Sequence, residues 1–146
     1  MRPSNDRPRS NDGPPVRGVV AVICRQTRLL VIRRSPHVAA GGALCFPGGA
    51  IERGESEAAA LVRELDEELR LSVQPVRRLW ESLTPWNVQL FWWLATIDSA
   101  AIPVPNPREV AEFHWLAPEV MLTCEDLLVS NREFLAALAG GNFSLA

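Results

Sequence analysis

The sequence predicts an α/β fold, a layered α/β/α sandwich in which helices cover a mixed β-sheet. Three observations predict it. Short β-branched apolar runs and helical periodicity follow one another in the order strands, helix, strands, helix. The run Val88–Ile97, VQLFWWLATI, is apolar on both of its faces, as in a strand covered on both sides. Residues 56–69 carry the spacing of a helix with one apolar and one acidic side.

At 146 residues the chain has the length of one domain with a single sizeable core. A net charge of −2 argues against a protein built to neutralise nucleic-acid phosphates. Every basic side chain apart from the histidines is Arg, which can grip phosphate bidentately, although the bias of a GC-rich genome accounts better for the same pattern. Cys24, Cys45 and Cys124 are widely spaced and odd in number, so neither a zinc pattern nor a disulfide framework is present and buried free thiols are expected. The polar N-terminus has no secretory h-region, and no apolar run reaches membrane-spanning length. A cytoplasmic protein with no membrane partner is the expectation.

Residues 1–15, MRPSNDRPRSNDGPP, hold almost nothing to bury and read as a disordered tail, with the domain at 16–146. Val19–Cys24 and Leu29–Ile32, around Arg25-Gln26-Thr27-Arg28, read as a hairpin. Arg33–Gly42 reads as a loop, and Leu44-Cys45-Phe46 as a short strand stopped by Pro47-Gly48-Gly49. Ser56 is an N-cap with Glu57 in the first turn, and periodicity runs to about Leu69. Leu71–Glu81 and Val88–Ile97 read as strands joined around Pro85-Trp86-Asn87. Ala101–Pro107 is a Pro-rich loop and Glu112–Leu116 a further strand. Ser130 and Glu133 make a capping box for a closing helix that ends at Gly140-Gly141.

The chemistry is concentrated in residues 49–71, GAIERGESEAAALVRELDEELRL. At 100° per residue, Ala58, Leu61, Val62, Leu65 and Leu69 share a core sector. Glu57, Glu64, Glu67 and Glu68 share another, about 120° away. Like charges at i,i+4 repel, and near a helix C-terminus the macrodipole adds to the cost. A solvated acidic face is one reading of such a cluster. A compensating Mg²⁺ or Mn²⁺ on hard oxygen ligands is the other. The preceding Phe46-Pro47-Gly48-Gly49 favours the second, because its glycines let backbone N–H groups approach an anion closely. An anion cradle beside a metal-binding face suits a diphosphate.

The same segment resembles the Nudix box, G-x5-E-x7-R-E-U-x-E-E-x-G-U, where U is a bulky aliphatic residue. Gly49, Glu55, Arg63, Glu64, Leu65, Glu67, Glu68 and Leu71 match at the required spacing, and Arg70 stands where the box has glycine. That position ends the helix, and a left-handed conformation there costs a side chain about 1 kcal/mol. The resemblance covers roughly residues 16–140 and implies the Nudix-type α/β/α sandwich. It also implies a hydrolase that cleaves the diphosphate linkage of a small nucleotide-like substrate, of nucleotide sugar, ADP-ribose or nucleoside triphosphate type.

By the same resemblance Glu64, Glu67 and Glu68 hold Mg²⁺ or Mn²⁺, with Glu55 at the edge of the metal site. Glu64 and Arg63 are the catalytic candidates: Glu64 serves the attacking water, and Arg63 ties the helix to the Glu55 loop. Glu109 and Glu112 are candidates for an extra carboxylate. Gly48, Gly49, Arg33 and Arg34 are candidates for substrate contacts, though either arginine is equally an ordinary surface charge. Trp86, in a turn, is the best exposed candidate for stacking on a base; His37 and His114 read as bland. The resemblance permits a homodimer. Two other readings stay open, a catalytically silent Nudix-fold nucleotide-binding regulator and an RNA 5′-end pyrophosphohydrolase.

Overall fold

Strand β1 (Val16–Arg25) is the element on which the rest is built. The structure, a computed structural model, describes residues 13–146, so the expected tail lies up to residue 12 outside the described residues. The chain reverses through Gln26 and Thr27, both at positive φ, into β2 (Arg28–Arg34), which gives the expected tight hairpin. Strand β3 (Leu44–Cys45) pairs with β2, and β4 (Gly48–Ala50) with β1. Helix α1 (Glu57–Leu69) leads to β5 (Gln74–Leu83) and β6 (Val88–Thr96). Strand β7 (Val110–Leu116) pairs with β2, and helices α2 (Pro118–Met121) and α3 (Val129–Ala139) close the chain.

The main path of the sheet is β3-β2-β1-β6-β5, with β4 added to β1 and β7 to β2. The β1–β6 pair is parallel and all the others antiparallel, so the sheet is mixed. Alternation along β1 sends Val19, Ala21 and Ile23 to one face and Val20 and Val22 to the other. The first face meets Ala60, Leu61, Leu65 and Leu69 of α1. Burying each of those leucines contributes about 1.5–3 kcal/mol. The second face meets Met121 of α2 and Phe134 and Leu135 of α3, with Trp92 stacked on Phe134 at 4.6 Å. Adjacent Phe91 and Trp92 fall on opposite faces, as expected for a strand covered on both sides.

Several boundaries differ from the sequence reading, each for a physical reason. Gly48 and Gly49 form a strand rather than a stop. A Cβ on Gly48 would stand 2.0 Å from the Val19 carbonyl oxygen, so the close pairing with β1 requires glycine. Arg33 and Arg34 finish β2, and the loop begins at Ser35. The short α2 lies outside the sequence reading, being too short to show periodicity. Helix α3 starts at Val129, with Leu128 in the cap position and no side-chain cap, so Ser130 sits inside the first turn rather than capping it. The cause is upstream: Leu44 N–H donates to the Asp126 carbonyl and Leu128 N–H to the Leu44 carbonyl, both at 3.0 Å, which holds the chain extended up to Leu128. The cysteines are all free, but only Cys45 is buried; Cys24 is exposed and Cys124 half-buried.

Candidate active site

Helix α1 begins where Ser56 Oγ accepts from the Ala59 N–H at 3.0 Å. It ends where Arg70 takes φ 50° and ψ 37°, with its N–H on the Asp66 carbonyl at 2.9 Å. Between these ends its buried arc differs from the expected one. Val62 is exposed, while Glu64 and Glu68 are only 1% and 3% exposed and share the covered side with Leu61, Leu65 and Leu69. Periodicity counts glutamate as polar, so it assigns these two to a solvent-facing sector that the fold in fact covers.

Among the described residues, Glu64, Glu68 and Glu109 form a group in which one carboxylate oxygen from each lies within 4.8 Å of the others. Glu109 comes from the loop before β7 and is half-buried. The strand β4 is shaped to this group. The Gly48 N–H donates to Glu68 Oε1 at 2.9 Å. A Cβ on Gly49 would stand 2.3 Å from the Glu64 carboxyl carbon. The anion that the Gly48 amide approaches is therefore the protein's own Glu68.

Burial pushes the Glu68 carboxyl well above the usual carboxylate range, and repulsion from Glu64 and Glu109 adds to it. The Gly48 N–H and the charge of Arg34 pull the other way.

Arg63 organises the helix side of the site. Its Nε and Nη2 grip Glu55 bidentately at 2.7 and 2.8 Å, and Nη2 also donates to the Ala50 carbonyl at 2.9 Å. Nη1 donates to Glu64 Oε1 at 3.1 Å and reaches Glu67 at 3.4 Å. The Arg63 hydrogen bonds hold the Glu55 carboxyl down at about 2. Glu67, with its side chain 46% exposed, stands beside the buried group rather than within it.

The two arginines of β2 part company. Arg34 donates from Nε to the Ala39 carbonyl at 2.7 Å, and its charge bears on Glu68 and on Cys45. Burial raises the Cys45 thiol to about 11 despite that neighbour. Arg33 instead pairs with Asp126, donates to the Gly42 carbonyl at 2.7 Å and stands 3.5 Å from Glu112. Glu112, within β7, also meets His114 Nε2 at 2.6 Å, so of the two candidate carboxylates only Glu109 joins the group. His37 is exposed, its N–H on Ser35 Oγ at 3.3 Å. Trp86 is 41% exposed in the β5–β6 turn, near an open hollow lined by Pro15, Leu83, Asn87 and Gln89.

Helical spacing groups Glu57 with the acidic face. In the structure it accepts from Trp93 Nε1 at 2.8 Å and Arg78 Nε at 2.9 Å, which ties the start of α1 to β5 and β6.

A mixed-sheet sandwich whose long helix turns buried carboxylates towards a glycine strand defines an α/β/α class with an acidic site at its centre. The chain belongs to the Nudix domain family, whose profile, described as NUDIX domain, matches residues 14–138. It is 32% identical over 107 residues to a Nudix hydrolase of Deinococcus radiodurans, a match covering 66% of this chain and 60% of that protein. The chain thus spans less than two thirds of that relative's length.

Its fold resembles that of the MutT protein from Methanosarcina mazei Go1, with a TM-score of 0.74 at 22% identity, covering 91% of this chain and 99% of that one. It also resembles the DR0079 protein from Deinococcus radiodurans, with a TM-score of 0.68 at 27% identity, covering 88% and 87%. No helix among the described residues is long and apolar enough to cross a membrane.

Proposed function

We propose that the chain is a divalent-cation-dependent pyrophosphohydrolase acting on a small nucleoside diphosphate-linked substrate. The observation that carries this reading is the convergence of Glu64, Glu68 and Glu109 oxygens within 4.8 Å. Metal–oxygen distances of about 2.0–2.6 Å put opposite ligands about 4–5 Å apart, so this donor set fits one hard cation such as Mg²⁺ or Mn²⁺. Glu67 and Glu55, both held by Arg63, border the set. The name of the Deinococcus radiodurans relative, a Nudix hydrolase, supports the same reaction class.

When bound, such a cation would neutralise charge on the bridging phosphates and lower the pKa of its water. The chain's own residues hold the geometry. Gly48 fixes one oxygen of Glu68, and Arg63 fixes one oxygen of Glu64. A water oxygen bonds to phosphorus and the bridging P–O bond breaks. The leaving phosphate keeps the electron pair, and the water proton passes to an oxygen of Glu64 or Glu109. Arg34, the β2 arginine whose charge reaches Glu68, is the better placed of the two to meet a substrate phosphate.

The test is turnover of a panel with Mg²⁺: ADP-ribose, nucleoside triphosphates, dinucleoside polyphosphates and nucleotide sugars, with products identified by mass spectrometry. Two phosphate-bearing products from one class of substrate are expected. Metal binding with no turnover of any compound would leave a silent nucleotide-binding module instead, and strong competition by 5′-phosphorylated RNA would move the substrate to RNA ends. A cytoplasmic location and a homodimer belong to the same proposal.

A further inference from the structure

The last turn of an α-helix leaves carbonyls with no partner along the helix. In α1 these include Glu67, Glu68 and Leu69, and the loop before β7 takes them. The Val104 N–H donates to the Leu69 carbonyl and the Asn106 N–H to the Glu68 carbonyl, both at 2.8 Å. Asn106 Nδ2 donates to the Glu67 carbonyl at 3.3 Å. The same residue then turns the chain towards Glu109. Its carbonyl accepts from the Glu109 N–H at 3.0 Å and the Val110 N–H at 2.8 Å, and its Oδ1 accepts from the Arg108 N–H at 3.2 Å. Pro105 and Pro107 flank it and have no N–H, so across residues 105–107 Asn106 is the sole main-chain donor. One residue therefore joins the backbone beneath Glu67 and Glu68 to the turn that carries Glu109.

We propose that Asn106 is a positioning residue for the carboxylate site, setting the distance from Glu109 to Glu64 and Glu68 by tying their backbones together. The inference rests on the reading of those carboxylates as a cation site, and Asn106 acts only through Glu109. Its side chain supplies two of the links, one to the helix and one to the turn. Losing them leaves the main-chain bonds in place but frees the turn to shift, and groups that orient metal ligands typically matter by 10–100-fold in affinity.

The experiment measures Mn²⁺ binding to the full chain by electron paramagnetic resonance, for the wild type, N106A, E109Q and the double variant. Each single change should weaken binding by about tenfold or more. The double variant should bind no more weakly than E109Q, because the two residues act in one chain of contacts. Additive losses, or N106A at wild-type affinity, would overturn the proposal. So would E109Q at wild-type affinity; if E68Q then still lost binding, the cation site itself would stand. Wild-type affinity in both E68Q and E109Q would bring down the site and the positioning role together. Should N106A fail to fold, N106S keeps an acceptor for Arg108 and should give a smaller, equally non-additive loss. Unchanged or additive binding in N106S also overturns the idea.

Discussion

The two ends of α1 treat their glutamates in opposite ways. At the start, Glu57 is met by the guanidinium of Arg78 and the indole of Trp93, with Arg17 at 3.7 Å. About two and three turns on, Glu64 and Glu68 are buried more deeply yet face each other and Glu109, with Arg63 on one side of Glu64. Burial raises the carboxyl pKa at both ends. At Glu57 the hydrogen bonds from Arg78 and Trp93 overcome it and the net shift is downward. At Glu68 the neighbours add to it and the net shift is upward. The first arrangement stabilises the fold. The second costs stability on its own, a cost that the proposed cation would offset.

The comparison breaks most visibly at Glu68. Glu68→Gln keeps the shape and removes one negative charge from the set. Turnover with Mg²⁺ should fall by about 10²-fold or more, roughly 3 kcal/mol of transition-state stabilisation. The melting temperature without metal should stay level or rise. A variant with wild-type kcat would remove Glu68 from the machinery.

The glycines of β4 sharpen the contrast next. Gly49→Ala meets the end of the Glu64 side chain, which can move, so the fold should survive while turnover drops by about ten- to a hundredfold. Gly48→Ala meets the Val19 backbone oxygen, which cannot move freely, so chemical denaturation should show a loss of about 2–3 kcal/mol in stability. Equal effects of the two changes on stability would undo the distinction.

Glu57→Gln should do the reverse of Glu68→Gln. Stability at neutral pH should fall by about 1 kcal/mol through loss of a charge-assisted hydrogen bond, with kcat within about twofold of wild type. Because the folded-state pKa of Glu57 is depressed, its contribution is present above the ordinary value of 4.5 and disappears as pH falls through the lowered value. The stability gap between wild type and Glu57→Gln should therefore close in acid. A gap that persists at low pH would mean that Glu57 acts by packing alone.

The smallest effect is expected at the far end of the helix. Arg70→Gly relieves a left-handed conformation and should stabilise by up to about 1 kcal/mol, a rise of about 2–4 °C in Tm. Destabilisation would show that the Arg70 side chain contributes more than its backbone strain costs.

Much of the framework was legible from local signals. The hairpin through Gln26 and Thr27, the Ser56 cap, the stop at Arg70 and the end of α3 at Gly140 all follow from residues close in sequence. What escaped depends on contacts between distant parts. The strand character of Gly48–Ala50 is set by β1, and the start of α3 by the pairing of Leu128 with Leu44. The burial of Glu64 and Glu68 is invisible to a pattern that treats every carboxylate as solvent-facing. Glu109 and Glu112 are equivalent in sequence; the Asn106 turn and the contacts of Glu112 with Arg33 and His114 separate them. Asn106 itself left one trace, a donor set between two prolines.

The parallel pairing of β1 with β6 carries a consequence for the order of folding. It brings Val16 against Val88, whereas the hairpin joins Arg25 to Arg28. A local hairpin closes in about 1–10 μs, while contacts between distant segments wait on the entropy of a long loop. Glu109 reaches the helix carboxylates only when the segment entering β7 docks on β2, so its repulsion with them is expected to be met late. A chain that postpones its least favourable contact in this way can hold a costly charge cluster without slowing the early steps that give it a fold.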